Sequence, residues 1–424
     1  MDRQRGDVLE RSGPYTADGR RGDTERTRDD DVENRRPAPT DGQVVPATGA
    51  ANEGMDMSDL AQRIRELLDD MVGSGPENGV QAAVYHRGEL VADVVAGEAA
   101  PGRPVTPDTI FYAASTGKGV AATVVHVLAE RGLFDYDTRI AELWPEFAAH
   151  GKERATVRHA LTHSAGVPAL PKDLPVATFM DWEAMCAVVA GLEPRWAPGE
   201  RSGYHPLTFG FLLGEIVRRA TGKPVSQVLA EEVAGPLGVA DELFFGVPES
   251  AHARLARTTA DPAGAAMFAS FAADLPLFNA GPPALSPGAE LANDTRLLSA
   301  DAPAWGVLSA RAVARMYAAL LDEVDGVRLV SPARLAEMTT VATGGVDEMT
   351  GGPASYGLGY TVGTIGQSPV SPTVFGMVGV GGSAAYADTA TGVTVAVTKN
   401  RFNPVEMHAY ERVHALAVAA LCDS

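Results

Sequence analysis

Strand-like segments bound the apolar body of this chain at both ends, and no other feature of the sequence narrows its fold so far. Gly79 leads into Val80, Ala82 and Val84, and His86-Arg87-Gly88-Glu89 separates this run from Leu90, Ala92 and Val94. Apolar runs of period two joined by a short polar turn predict an antiparallel hairpin. Toward the other end, 378–385 and 391–397 supply further strand-like runs, with Asp388-Thr389-Ala390-Thr391-Gly392 as a turn. The intervening sequence is mostly helical in period. Ser58 is placed to cap an amphipathic helix carrying Leu60, Ile64, Leu67, Leu68 and Met71, and Val405, Ala409, Val413, Leu416 and Ala420 mark a closing helix. The expected fold is therefore α+β: an antiparallel sheet completed by both chain ends, flanked by helices, with a largely helical region inserted between them.

The 424 residues, 45% of them hydrophobic, are enough for a large core. Residues 1–56 are different. They hold 13 acidic and nine basic side chains with hardly any large apolar one, and are expected to be a disordered N-terminal extension, with Met55 or Met57 as an alternative start. The folded domain is expected over 57–424. A net charge of -19 without a Lys/Arg cluster argues against a nucleic-acid partner. No run is long and apolar enough for a membrane span, and the N-terminus lacks the apolar core of a secretion signal, so the expected location is the cytoplasm. Cys186 and Cys422 are too few for a disulfide scaffold and lack zinc-ligand spacing. The Pro/Gly-rich stretches 165–176, 190–206 and 279–290 read as loops, the last as a surface loop or part of a substrate rim.

The chemistry centres on Phe111-Tyr112-Ala113-Ala114-Ser115-Thr116-Gly117-Lys118-Gly119. Val120, Val124, Val127, Leu128 and Ala129 predict a buried helix beyond it, which places Ser115 at the first turn with Lys118 on the same face. A lysine held neutral by burial can take the serine proton. The same residues also fit a serine cap followed by a solvated lysine. His159 and His163 stand four apart, but without H-E-x-x-H, and His163 reads as a structural hydrogen-bonding residue rather than a metal ligand. Tyr204 falls on a turn just before a helix containing Leu212, Leu213, Ile216 and Val217. There a phenol can pass a proton to a leaving group, or simply anchor the loop. Gly376-Met377-Val378-Gly379-Val380-Gly381-Gly382-Ser383 has neither the ending of a P-loop nor the context of a dinucleotide fingerprint, and Gly379 and Gly381 would let a sheet edge approach substrate.

Taken together and in order, Ser115-Thr116-Gly117-Lys118, Leu161-Thr162-His163-Ser164-Ala165-Gly166, Tyr204 and Met377-Val378-Gly379 resemble the motifs of the serine β-lactamase and penicillin-binding-protein superfamily. The chain is most similar to class C β-lactamase-like hydrolases and family VIII carboxylesterases, over about residues 60–420. The resemblance implies the β-lactamase/transpeptidase-like fold and acylation of Ser115, with Lys118 and Tyr204 exchanging its proton. It implies that the backbone N–H groups of Ser115 and Val380 form an oxyanion hole, and that no cofactor or metal is required. Two departures bear on substrate: Pro206 replaces an asparagine, and Met377 replaces the third-motif Lys or His. A thioether cannot pair with a carboxylate, so Met377 is expected to face an uncharged acyl group. The expected function is hydrolysis of a neutral small-molecule ester. The alternatives are acyl transfer from such a donor to an amine or alcohol, a β-lactamase or D-aminopeptidase-like peptidase, and a noncatalytic acyl- or peptide-binding module.

Overall fold

Arg87 and Gly88, with φ of 50° and 85°, form the tight turn that closes the expected hairpin, joining β1 (Gly79–His86) to β2 (Glu89–Ala100). The computed structural model describes residues 57–272, 275–366 and 368–422, so the expected N-terminal extension lies outside the described residues. The remaining strands of the main sheet are β3 (Arg103–Pro104), β4 (Thr361–Val362), β5 (Val374–Val378), β6 (Ala384–Asp388) and β7 (Val393–Lys399). Their order is β3-β2-β1-β7-β6-β5-β4, with every neighbouring pair antiparallel. The two chain ends thus meet in the middle of the sheet, where Val80 pairs with Lys399 and His86 with Val393.

One sequence expectation fails here. The run 378–385 is not one strand: Val378 ends β5, Ala384 and Ala385 begin β6, and 379–383 turn between them, where Gly381 and Gly382 adopt φ of 107° and 98°. Ser58 likewise lies inside helix α1 (Met57–Gly73) rather than ahead of it.

Alternation along the strands sorts side chains into two cores. Val80, Ala82, Val84, Val395 and Val397 pack with Leu60, Ile64 and Leu68 of α1 and with Tyr410 and Val413 of the closing helix. Fully buried Ile64 and Leu68 each contribute about 1.5–3 kcal/mol by leaving water. Ala83, Tyr85, Phe375 and Ala396 face the opposite way, onto α2 (Thr116–Glu130) and the helix Ala310–Leu321. Helix α2 is buried from Thr116 to Ala129, between the sheet and the helix Thr208–Thr221, which explains its apolar sequence on all sides. Its buried His126 is satisfied by the Tyr136 hydroxyl and the Leu358 carbonyl. Its other buried ionisable group, Lys118, also meets a hydroxyl and a carbonyl, and no carboxylate among the described residues. No helix among the described residues is long and apolar enough to cross a membrane.

Candidate active site

Ser115 is carried to the start of α2 by a left-handed residue, Ala114, at φ 45°. A non-glycine residue in that region stores local strain, and such strain collects where a side chain must be presented in one direction. The Ser115 hydroxyl caps nothing, and Lys118 is only 1% exposed, so the reading of a serine cap with a solvated lysine is excluded. Lys118 Nζ instead donates to Ser115 Oγ at 3.1 Å and to the Ala304 carbonyl at 2.8 Å. It forms no ion pair with a carboxylate among the described residues, and burial pulls its pKa down to about 7. The serine is partly exposed and the lysine sits behind it.

Tyr204 closes the other side, with Lys118 Nζ 5.4 Å from its ring centroid. Burial pushes the phenol upward, the hydrogen bond with Ser115 opposes this, and the charge of Asp347 adds to the rise. The group therefore remains a phenol at neutral pH. Its loop is fixed by the turn that carries His163, itself at φ 56°. His163 Nδ1 accepts the His205 N–H at 3.1 Å, and the Gly203 N–H donates to the His163 carbonyl at 3.0 Å. The His163 ring packs between Tyr204, Phe209 and Tyr356, and burial followed by the nearby His205 and Lys118 keeps it neutral. His163 is structural, as expected. His159 is too, since its Nδ1 accepts the Thr156 N–H at the start of the helix Val157–Leu161.

The turn 379–383 forms the third wall. A side chain at Gly379 would lie 2.1 Å from the Ala113 carbonyl, so the bare backbone there is what lets β5 close against the Ser115 segment. Thr116 Oγ1 donates to the Ser383 carbonyl at 3.0 Å and ties the same surfaces together. Gly381 packs against the Phe402 ring. Both glycines, expected to meet substrate, are thus required by contacts within the protein. Val380 is partly exposed beside them, and among the described residues neither its N–H nor that of Ser115 is taken by another group. Met377 has 1% exposure and packs against α2 at Gly119, next to Lys118. It offers substrate almost no surface, contrary to the expectation that it lines the pocket.

Residues 61–420 match the β-lactamase family. The chain belongs to that family. It is 37% identical over 336 residues to the esterase/β-lactamase LipL of Mycobacterium tuberculosis, covering 76% of this chain and 77% of the relative. A family VIII carboxylesterase structure matches with a TM-score of 0.76 and 32% identity, covering 85% of this chain and 98% of that one. A penicillin-binding-protein homologue from Caulobacter crescentus matches at 0.75 and 31%, covering 86% and 98%. These relatives set the β-lactamase-family chain close to the family VIII carboxylesterases, and serine-hydrolase activity of the esterase type follows at that coarse level.

For a member of the β-lactamase family, two groups at this site escaped the sequence. Ala304 acts through its carbonyl, which no side-chain pattern reveals. Asp347 is wholly buried and accepts the Tyr204 N–H at 2.8 Å, the Tyr356 hydroxyl at 2.9 Å, and the N–H groups of Met349 and Thr350. The bonds to Met349 and Thr350 are an Asx-type turn, which Asp347-Glu348-Met349-Thr350-Gly351-Gly352 signals in sequence. The bond to Tyr204, 143 positions away, carries no such local signal.

Proposed function

We propose that the chain is an ester hydrolase that carries the acyl group of a neutral small-molecule ester on Ser115. The observation behind this reading is Lys118, buried with no carboxylate partner among the described residues and 3.1 Å from Ser115 Oγ. With its pKa lowered to about 7, a large fraction of Lys118 is neutral near physiological pH. Neutral Lys118 takes the hydroxyl proton as Oγ attacks the ester carbonyl carbon. The oxyanion that forms lies against the N–H groups of Ser115 and Val380. As the carbon–oxygen bond to the alcohol breaks, the leaving oxygen takes the Tyr204 proton, and the Lys118 ammonium restores it. Water then attacks the acyl-serine carbonyl and gives a proton to Lys118, and as the carbon–Oγ bond breaks Lys118 returns that proton to Oγ, which releases the acid and regenerates Ser115 and neutral Lys118.

Met377 leaves the third motif without a cation for a substrate carboxylate, and Pro206 lacks the amide that would contact a β-lactam side chain, which favours neutral esters over β-lactams. The relative LipL, named an esterase/β-lactamase, supports esterase-type chemistry at this site. Intact-mass measurement after incubation with a reactive ester tests it: the wild type gains one acyl group and Ser115→Ala gains none. Equal labelling of both proteins rejects Ser115. The same reaction with added amines and alcohols separates hydrolysis from acyl transfer by its products.

A further inference from the structure

The helix Pro262–Ala272 has the sequence PAGAAMFASFA, without one charged or amide side chain, yet positions 262–270 lie largely on the surface. Ala263, Ala265, Ala266 and Ala269 are exposed and Met267 is 60% exposed. Phe268 meets Phe278 of the turn Pro276–Asn279 edge to face, with centroids 4.6 Å apart, and Phe278 is itself partly in water. Exposed apolar surface of this kind marks a binding face.

What it binds follows from where it is fastened. At the N-terminal end, Thr259 and Ala260 pair with Arg401 and Phe402, the Asp261 N–H donates to the Phe402 carbonyl at 3.0 Å, and the Phe402 ring lies against Gly381. That end is joined to the turn bearing Val380. At the other end, the Leu277 N–H donates to the Met349 carbonyl at 3.1 Å, the Leu170 N–H donates to the Ala280 carbonyl at 2.9 Å, and Gly281 packs on Leu207. Met349 belongs to the turn whose Asp347 holds Tyr204. The apolar segment is therefore anchored on both walls between which Ser115 lies.

We propose that the helix Pro262–Ala272 and the turn Pro276–Asn279 bind the acyl chain of the substrate, so that the enzyme prefers medium-chain acyl esters to acetyl esters. The inference rests on Ser115 being acylated. Each methylene that leaves water on this surface contributes about fourfold to kcat/KM. The octanoyl ester is accordingly turned over at least about tenfold more efficiently than the acetyl ester.

Steady-state hydrolysis of soluble p-nitrophenyl acetate, hexanoate and octanoate tests this on the full chain. Met267→Ser lowers the octanoate-to-acetate ratio by about threefold, and adding Phe278→Ser lowers it by about tenfold. Leu90→Ser, a change at another exposed apolar residue on the β1–β2 hairpin, leaves the ratio alone. Met267 has little packing to lose, so its variant remains folded, as thermal unfolding checks. A wild type without chain-length preference overturns the inference, as does an unchanged ratio in folded Met267→Ser. So does a loss of self-association, or of binding to phosphatidylcholine vesicles, with the ratio intact, because the surface then serves a second copy or a lipid bilayer. Ser115→Ala must abolish turnover of all three esters; if it does not, the failure lies with the acyl-serine reading instead.

Discussion

Lys118 and Lys399 are both withdrawn from water, at 1% and 4% exposure, and their surroundings are opposite. Lys399 ends β7 in the alternation of Val395 and Val397, and its ammonium is paired with the buried Glu77 carboxylate. Lys118 lies on the other side of the sheet and meets a hydroxyl and a carbonyl. A third buried lysine, Lys152, donates hydrogen bonds to the carbonyls of Ala149, Ala190 and Leu192. Burial alone therefore does not make a base. Lys399 faces a carboxylate and Lys152 faces carbonyls alone, whereas Lys118, held among neutral dipoles with its pKa lowered to about 7, sheds its proton beside a nucleophile.

The largest expected effect tests that contrast directly. Lys118→Met removes the base and lowers the rate of Ser115 acylation by about 10²–10⁴-fold, while the apolar replacement is tolerated in its buried site. Lys399→Met acts on the fold instead: it leaves Glu77 buried and unpaired, which costs about 3–5 kcal/mol of stability. Acylation by burst kinetics and stability by urea unfolding, run on both variants, separate the effects. If folded Lys399→Met loses acylation as Lys118→Met does, the division between a structural and a chemical lysine is wrong.

A smaller effect, about tenfold per pH unit, sharpens the comparison. Lys118 is neutral only above about 7, so acylation falls as pH drops below that value. Its folded pKa lies below its ordinary 10.5, so the unfolded chain keeps a proton that the folded one has lost, and this group adds stability as pH rises from about 7 toward 10.5. Glu77 titrates near the same place, pushed up to about 7 by burial with Lys399 pulling it back. Its sign is the reverse. The folded state holds a proton that the unfolded state has released, so its contribution is present below 4.5 and is lost as pH climbs through about 7. Glu77→Gln should therefore flatten part of the stability profile and leave the acylation limb in place. A limb that disappears with Glu77 would assign it to the wrong face of the sheet.

Local spacing explains what the sequence revealed. The hairpin was visible in its alternation and its Arg87-Gly88 turn, and Ser115 and Lys118 in a three-residue interval on a helix whose other faces are apolar. Tyr204 was visible as a turn residue ahead of a helix. The misses are residues whose roles depend on distant partners. Asp347 reaches Tyr204 across the fold, and Ala304 contributes only backbone. The stretch 379–383 passes for a strand continuous with Val378 and Ala384 until the positive φ of Gly381 and Gly382 is known, because adjacent apolar residues hide the turn. Exposure is equally hidden: the apolar run 262–270 has the composition of a core helix and lies largely on the surface.

Met377 carries the smallest expected effect and decides how far the family's third motif still operates. At that position a cation would touch substrate, and a replacement would change which acyl donors are accepted. Here the side chain is buried against α2 at Gly119, so its contribution is to packing beneath Lys118. Met377→Leu nearly conserves volume and should cost less than about 1.5 kcal/mol, with kcat/KM within about threefold of wild type. The ratio of kcat/KM for a neutral methyl ester to that for its free-carboxylate analogue should not move, because neither substrate reaches the thioether. Met377→Lys is the harsher form of the same test. Its ammonium would be desolvated next to Lys118, so it would lower stability and depress the Lys118 pKa further before it could attract a carboxylate. A tenfold change of the substrate ratio in folded Met377→Leu would show that the thioether lines the acyl pocket after all, and that β5 moves away from α2 when substrate binds.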